Sequence, residues 1–398
     1  MRFAVIQETD WLTRGPHQQH HLFERLSTRG HSVTVLDFEI LWQAWPRSPL
    51  LVRRQEWSDV SRVLPESQVK LVRPATLHLW PICRPSALVT HALDLRRLIE
   101  TERPDAIVNY ALSTGLAAEQ LARRAGVPFI FHVIDSLHTL VPARWLQPIA
   151  RAAEQRLLRL AGQSVFINEG LRDYGLSLGA RAERATTIRT GVDLARIRPE
   201  LDGHFIRSQW GFDSGDVVML FMGWLYHFAG LTEIVEQLAA APPELKLIIV
   251  GDGDAHRRLR RVVAESGLGG RVIFAGRQPY DTMPQFLAAA DICLLPSQIN
   301  DVTRHIVPVK IYEYLASGRP VIASQLPGVM RDIPEGEGVR YAAPGEHLTL
   351  AAEMLDAEGR RALGARGRAF VEAHCDWEKI ADEFEQLLIG EAARASRA

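Results

Sequence analysis

Short apolar runs alternate with stretches of helical spacing from the first residues of the chain. Residues 3–6 form one run, a loop passes through Gly15-Pro16, and a helix is expected to reach about Arg29. Gly30 stops it before the next run at residues 33–36, and further runs follow at 106–108, 128–133, 164–167 and 187–188. Short apolar runs separated by helices imply parallel strands with crossover helices. The pattern restarts at residues 217–222, with Leu231, Ile234, Val235 and Leu238 spaced as one helix face behind that run, and it continues at 245–250, 272–274, 292–295 and 321–323. Between the two series, residues 190–213 turn polar and include Gly191, Pro199 and Gly203. The chain therefore reads as two α/β domains in tandem, residues 1–195 and 196–375. Residues 376–398 follow as a final helix over about 377–388, with Asp376 as its N-cap, expected to pack back toward the first domain. Open parallel sheets bind ligands beyond the carboxyl ends of their strands, so the chemistry is expected in a cleft between two facing lobes.

Composition narrows the classes. The chain has 398 residues, enough for two separate interiors, with 47% hydrophobic and 23% charged positions. A net charge of −1 gives the whole molecule no electrostatic reason to seek nucleic acid. Cys83, Cys293 and Cys375 show no paired spacing, so neither a disulfide framework nor a structural zinc is expected. No charged leader opens the chain, and no apolar stretch is long enough to span a bilayer, so a cytoplasmic location is expected.

The most informative chemistry lies in Pro308-Val309-Lys310-Ile311-Tyr312-Glu313-Tyr314-Leu315-Ala316-Ser317-Gly318. Pro308 suits a first helical turn and Gly318 a helix stop. Lys310 and Glu313, three apart, share one face near the helix start. Such a start attracts phosphate, Lys310 adds a formal charge, and Glu313 could accept two hydrogen bonds from a vicinal diol such as a ribose. A capped surface helix with an i, i+3 ion pair is the plainer reading.

This stretch, with Val250-Gly251-Asp252-Gly253, Phe274-Ala275-Gly276-Arg277 and Ala290-Asp291-Ile292-Cys293-Leu294-Leu295-Pro296-Ser297, resembles the C-terminal half of the family 4 glycosyltransferases over about residues 217–341. In the first half, Gly15-Pro16 stands where that family has a glycine pair. Arg29-Gly30-His31-Ser32-Val33 and Gly191-Val192-Asp193 resemble its first helix-to-strand turn and its linker. The resemblance implies an α/β GT-B architecture, two Rossmann-like domains facing each other across a cleft. It implies sugar transfer, with retention, from a nucleoside-diphosphate sugar to a hydroxyl of a glycan, glycolipid or lipid-linked sugar. Glu313 would hold the donor ribose, the backbone of residues 276–280 (Gly276, Arg277, Tyr280) would face the base, and Gly15 and Gly223 would approach the donor.

Three positions depart from the pattern. His305 stands where the first of two paired glutamates is expected. Trp224 and Ala229 replace the arginine and lysine that would neutralise the diphosphate. The His-Asp pair after the first-domain strand reads Ile134-Asp135, with His138 a candidate replacement for the histidine or simply a loop residue capping local backbone. Lys310 is then expected to carry the leaving-group charge, with Arg304 or Arg277. His305 and Asp135 are expected to contact sugars. No nucleophile is apparent, so positioning and charge stabilisation would dominate, with no cofactor and no required metal.

Weaker signals remain. Asp252-Gly253-Asp254 has the form of a metal-binding pair, but two carboxylates alone seldom hold magnesium. His17, His20 and His21 suggest a polar patch facing the cleft rather than zinc. Residues 41–100 carry nine basic against five acidic side chains, a balance of +4, with Trp42, Trp45, Trp57 and Trp80. They suit either an anionic membrane surface, peripheral at the inner face, or an acceptor-side subdomain whose tryptophans are core. A sugar-nucleotide epimerase and a non-catalytic nucleotide-sugar-binding module are the alternatives. A dinucleotide dehydrogenase is disfavoured because no GxGxxG opens the first turn.

Overall fold

A computed structural model describes residues 1–39, 49–79, 81–300 and 302–397. The chain divides into two compact units, Met1–Thr190 with Trp377–Ala398, and Gly191–Asp376.

The first unit contains strands β1 (Arg2–Ile6), β2 (Ser32–Leu36), β3 (Leu51–Val52), β4 (Gln55–Val60), β5 (Val69–Arg73), β6 (Thr76–Leu77), β7 (Ala106–Asn109), β8 (Phe129–Val133), β9 (Gln163–Phe166) and β10 (Ala185–Thr187). Eight of them form one sheet in the order β10-β9-β8-β7-β1-β2-β5-β4, and β3 pairs with β6 apart from it. All neighbours in the sheet are parallel except β4, which runs antiparallel to β5. Helices cover both faces, which is why the central strands read as unbroken apolar runs. On one face Val5, Val35 and Val108 meet Phe23 and Leu26 of the helix Gln18–Thr28 and Trp377, Phe384 and Leu388 of the helix Trp377–Ala395. On the other, Ile107, Phe131 and Phe166 meet Leu95, Ala118 and Leu157, from the helices Cys83–Glu102, Gly115–Ala125 and Gln147–Leu160.

The C-terminal helix thus belongs to the first unit. Each large apolar side chain it buries contributes about 1.5–3 kcal/mol. Arg29 fixes its register by pairing with Asp382 and Glu385, both at 2.7 Å, and Arg25 pairs with Glu378 at 2.7 Å.

The second unit contains β11 (Val217–Met222), β12 (Leu245–Val250), β13 (Val272–Gly276), β14 (Ile292–Leu295), β15 (Val321–Ser324) and β16 (Val339–Ala342), in the order β13-β12-β11-β14-β15-β16. Every pairing is parallel. From β11 the chain steps first to one side and later, at β14, to the other. Loops leaving these two strands therefore part, and a crevice opens at their carboxyl ends.

Trp57 of β4 lies against the Arg73 guanidinium at 5.3 Å, a packing role within the sheet edge. Trp42, Trp45, Arg47 and Trp80 lie outside the described residues. Among the described residues no helix is long and apolar enough to cross a membrane.

Candidate active site

The crevice of the second unit is organised by the helix Lys310–Ala316. Pro308 lies two residues before it rather than in its first turn, and its carbonyl accepts from Ile311 N at 3.0 Å. Two bonds tie this helix to the end of β11. The Tyr314 hydroxyl accepts from Met222 N at 3.0 Å, and Lys310 Nζ donates to the Met222 carbonyl at 3.1 Å. The ammonium also sits 4.0 Å above the Phe221 ring. These contacts hold the cation at the point where the strand order reverses. Its other two N–H bonds meet no protein acceptor among the described residues. Burial pushes the Lys310 pKa down to about 8, with the Glu313 carboxylate opposing that shift. Gly223 follows Met222 at φ 127°, and a Cβ there would lie 3.2 Å from Lys310 Nζ. Only glycine leaves that approach to the cation open.

Glu313 is buried and accepts a 2.6 Å hydrogen bond from the Tyr280 hydroxyl on Oε1. Burial raises its pKa, while the Tyr280 bond and the Lys310 charge pull it back. The Arg196 guanidinium lies 4.6 Å above the Tyr280 ring and bonds Asp281 at 2.6 Å. Tyr280 and Glu313 are therefore held as a pair, one exposed ring standing beside a carboxylate. Gly276 ends β13, and its carbonyl accepts from Gly251 N at 2.8 Å.

Arg277 and Arg304 are exposed, and His305 is half-buried. Arg277 acts on Asp252, whose pKa its charge helps to lower, after the stronger effects of Gly253 N and His256. Lys310, Glu313, Tyr280 and Gly223 are thus brought together by direct contacts, whereas the two arginines stay at the surface. Arg196 and Phe221 had no local signal in the sequence, since their partners lie far along the chain.

In the first unit, Asp135 follows β8 and accepts from Ser136 N at 2.7 Å. Burial raises its pKa, and the charge of Glu154 adds to that. His138 Nδ1 lies 2.8 Å from Glu154 and 2.8 Å from the Tyr174 hydroxyl, which donates to Glu154 at 2.9 Å. A fully buried carboxylate requires such partners, and here they pin the turn Leu137–Leu140 to the helix Gln147–Leu160. Gly15 has φ 81°, and a Cβ there would fall 2.5 Å from His17 N. The loop before it is fixed by Arg73, which bonds Asp10 at 2.8 Å and Asp37 at 2.5 Å, and by Trp11 N donating to Asp37 at 2.8 Å.

The expected histidine patch does not form. His20 is fully buried against Trp11 at 4.0 Å, with its pKa pushed down to about 3 by burial, and His21 stacks on Trp377 at 4.3 Å. Among the described residues no group of three or more His, Cys, Asp or Glu side chains could hold a metal ion.

Comparison with known proteins accounts for both units. Residues 216–357 match the family described as glycosyl transferases group 1, and residues 15–191 match the glycosyl transferase 4-like domain. The 2-deoxystreptamine glucosyltransferase of Streptomyces kanamyceticus is 27% identical over 310 residues, 75% of this chain and 78% of that one. A GDP-mannose-dependent monoacylated alpha-(1-6)-phosphatidylinositol monomannoside mannosyltransferase of Corynebacterium glutamicum is 32% identical over 212 residues, 51% of this chain and 55% of that one. Among solved structures, sucrose-phosphate synthase from Thermosynechococcus elongatus matches with a TM-score of 0.76 at 21% identity, covering 99% of both chains. HepE from Anabaena in complex with UDP matches with a TM-score of 0.74 at 17% identity, covering 98% of this chain and 100% of that one. These likenesses show the fold, GT-B with two Rossmann-like domains.

Proposed function

The chain belongs to the group 1 glycosyltransferases, and from that premise we propose that its second unit takes a nucleoside-diphosphate sugar as donor. The observation that carries this reading is the ammonium of Lys310, with one N–H bonded and two open, at the switch point between β11 and β14. A diphosphate seated there supplies acceptors for the two open N–H bonds. As the bond from the anomeric carbon to the phosphate breaks, negative charge grows on the departing oxygen. A cation already in place stabilises that charge without reorganising. Glu313, one turn along, receives the ribose hydroxyls, and the Tyr280 ring lies beside the nucleoside. Lys310 supplies the countercharge a metal would otherwise bring, so turnover proceeds without a divalent ion. Transfer occurs with retention, in keeping with the family resemblance of the second unit.

The acceptor we propose is a glycan or lipid-linked hydroxyl presented at an anionic membrane surface, with Asp135 at the acceptor side and His305 toward the transferred sugar. The corynebacterial relative, named for a phosphatidylinositol-linked acceptor, supports this. So does the surface of residues 137–160, which exposes Leu140, Trp145 and Ile149, with Arg156 and Arg159 on the side of the helix that carries Ile149 and Arg144 just before Trp145. The only acidic residue in that stretch, Glu154, is buried.

The test is Lys310→Ala, assayed for transfer with the donor that best stabilises the protein. We expect kcat/KM to fall about 100-fold or more, the scale of losing one charge-stabilising donor. Wild-type turnover should survive chelation of divalent ions, and NMR of the product should show the donor's anomeric configuration. A folded variant with undiminished kcat/KM overturns the assignment.

A further inference from the structure

We propose that the loop of residues 223–230 is a carbohydrate-stacking platform, on which Trp224 and Tyr226 receive the apolar face of a pyranose ring beside Lys310. This rests on the donor site proposed above and adds what recognises the sugar there.

The rings are presented outward from a rigid backbone. Trp224 and Tyr226 are 50% and 47% exposed, while Leu225 between them is fully buried. Tyr226 is backed by Phe228, stacked at 4.8 Å with 6° between planes, and Trp224 adjoins at 6.4 Å from Tyr226 with its plane turned by 55°, so the two exposed rings meet at an angle. The backbone beneath is bonded at several points. Leu225 N donates to Asp252 O and Ala255 N to Leu225 O, both at 2.9 Å, and Gln298 N donates to Phe228 O at 2.8 Å. At the far end Gly230 has φ 74°, and a Cβ there would fall 1.8 Å from the Pro296 carbonyl. At the near end lies Gly223, with the Lys310 ammonium against it. A mobile loop would hold such rings only transiently. This one holds them in place before any ligand arrives, which lowers the ordering cost of binding.

Electrostatics selects the ligand. The faces of aromatic rings carry negative charge density, so they repel phosphate oxygens and attract weakly positive C–H groups. A pyranose offers such C–H groups on one face, and in a sugar nucleotide it is joined directly to the phosphate that Lys310 would hold. The positions where the family resemblance places cations, 224 and 229, are here Trp224 and Ala229. The chain has thus exchanged charge directed at the diphosphate for apolar surface directed at a sugar. The ring stacked there belongs to the donor or to the acceptor, and the chemistry of recognition is the same.

The experiment compares wild type, Trp224→Ala and Trp224→Phe by calorimetry with UDP and UDP-glucose, and with GDP and GDP-mannose. A donor-side platform predicts at least a tenfold loss of affinity for the sugar nucleotide in Trp224→Ala, an unchanged affinity for the matching nucleoside diphosphate, and recovery in Trp224→Phe. An acceptor-side platform leaves both affinities unchanged but abolishes saturation transfer by NMR to methyl glucoside and methyl mannoside in the presence of the nucleotide. Equal loss for nucleotide and sugar nucleotide overturns the proposal, as does unaltered binding in both arms. A wild-type protein that binds no nucleotide sinks the donor-site reading instead. In that case saturation transfer to the methyl glycosides, present in wild type and lost in Trp224→Ala, still sustains the platform, and its absence from wild type overturns it.

Discussion

Lys310 is held in an unusual compromise for a lysine. The Met222 carbonyl and the Phe221 ring replace only part of the hydration that its ammonium gives up. Its pKa accordingly falls from 10.5 to about 8. Below about pH 8 the ammonium is charged in both the folded and unfolded chain, so the desolvation cost bears fully on stability. From there to 10.5 the unfolded chain binds more protons, and the cost is relieved as pH rises. A bound diphosphate reverses the balance, because two phosphate groups next to the amine favour its charged form. Nucleoside diphosphate binding at a pH just above 8 should therefore draw in a fraction of a proton. Calorimetry in buffers of different ionisation enthalpy measures that uptake directly. It should vanish in Lys310→Met, and equal enthalpies in all buffers for wild type would refute the contact. The lysine and glutamate were legible in the sequence because helical spacing alone places them on one face. The partners that set their chemistry were not: Tyr280 is 33 positions from Glu313, and Met222 is 88 from Lys310, distances that only the folded sheet closes.

Among elements, the segment of residues 137–160 shows most clearly what burial adds to sequence pattern. Basic charge and tryptophan content together draw attention to residues 41–100, yet Trp57 there is packed against Arg73. In the helix Gln147–Leu160, by contrast, Leu157 and Leu158 face the core while Ile149, Arg151, Arg156 and Arg159 face outward, and Trp145 just before it is 72% exposed. An arginine near an anionic surface contributes about 1 kcal/mol, so Arg144, Arg156 and Arg159 together supply attraction that salt weakens. Flotation with anionic vesicles should carry the wild-type chain at low salt and release it at high salt, whereas zwitterionic vesicles should not carry it. Replacing Arg156 and Arg159 by glutamate should cut the bound fraction about tenfold or more. A variant that floats as well as wild type rules this face out. The same contrast explains which strands the sequence revealed. Those buried on both faces, such as β11 and β12, stand out as unbroken apolar runs. β4, with a burial pattern mostly exposed, carries too few apolar positions to announce itself, and in the four-residue edge strand β16 Arg340 breaks the apolar run.

At the scale of the molecule, the chain leaves the first unit at Thr190 and returns to it at Trp377, so the first unit depends on two separated segments while the second is continuous. The second unit has a full apolar cluster on each face of its sheet, and Lys310, Glu313, Tyr280, Gly223 and Trp224 all lie within it. The first unit, deprived of residues 377–398, would lose Trp377, Ile380, Phe384 and Leu388 from the cluster that also holds Val5 and Phe23. Replacing one such large side chain by alanine typically costs about 2–5 kcal/mol, so losing all four strongly destabilises the first unit. A chain ending at Asp376 should therefore melt in two steps by calorimetry. The first unit should unfold well below its wild-type temperature, and the second should stay near its own. Adding nucleoside diphosphate should raise only the later transition, because a ligand stabilises the unit that binds it in proportion to RT ln(1 + [L]/Kd). If the ligand raised the earlier transition instead, the nucleotide would belong to the first unit. If both units melted together at a lowered temperature, the second would not be the self-sufficient body that its two-sided core makes it.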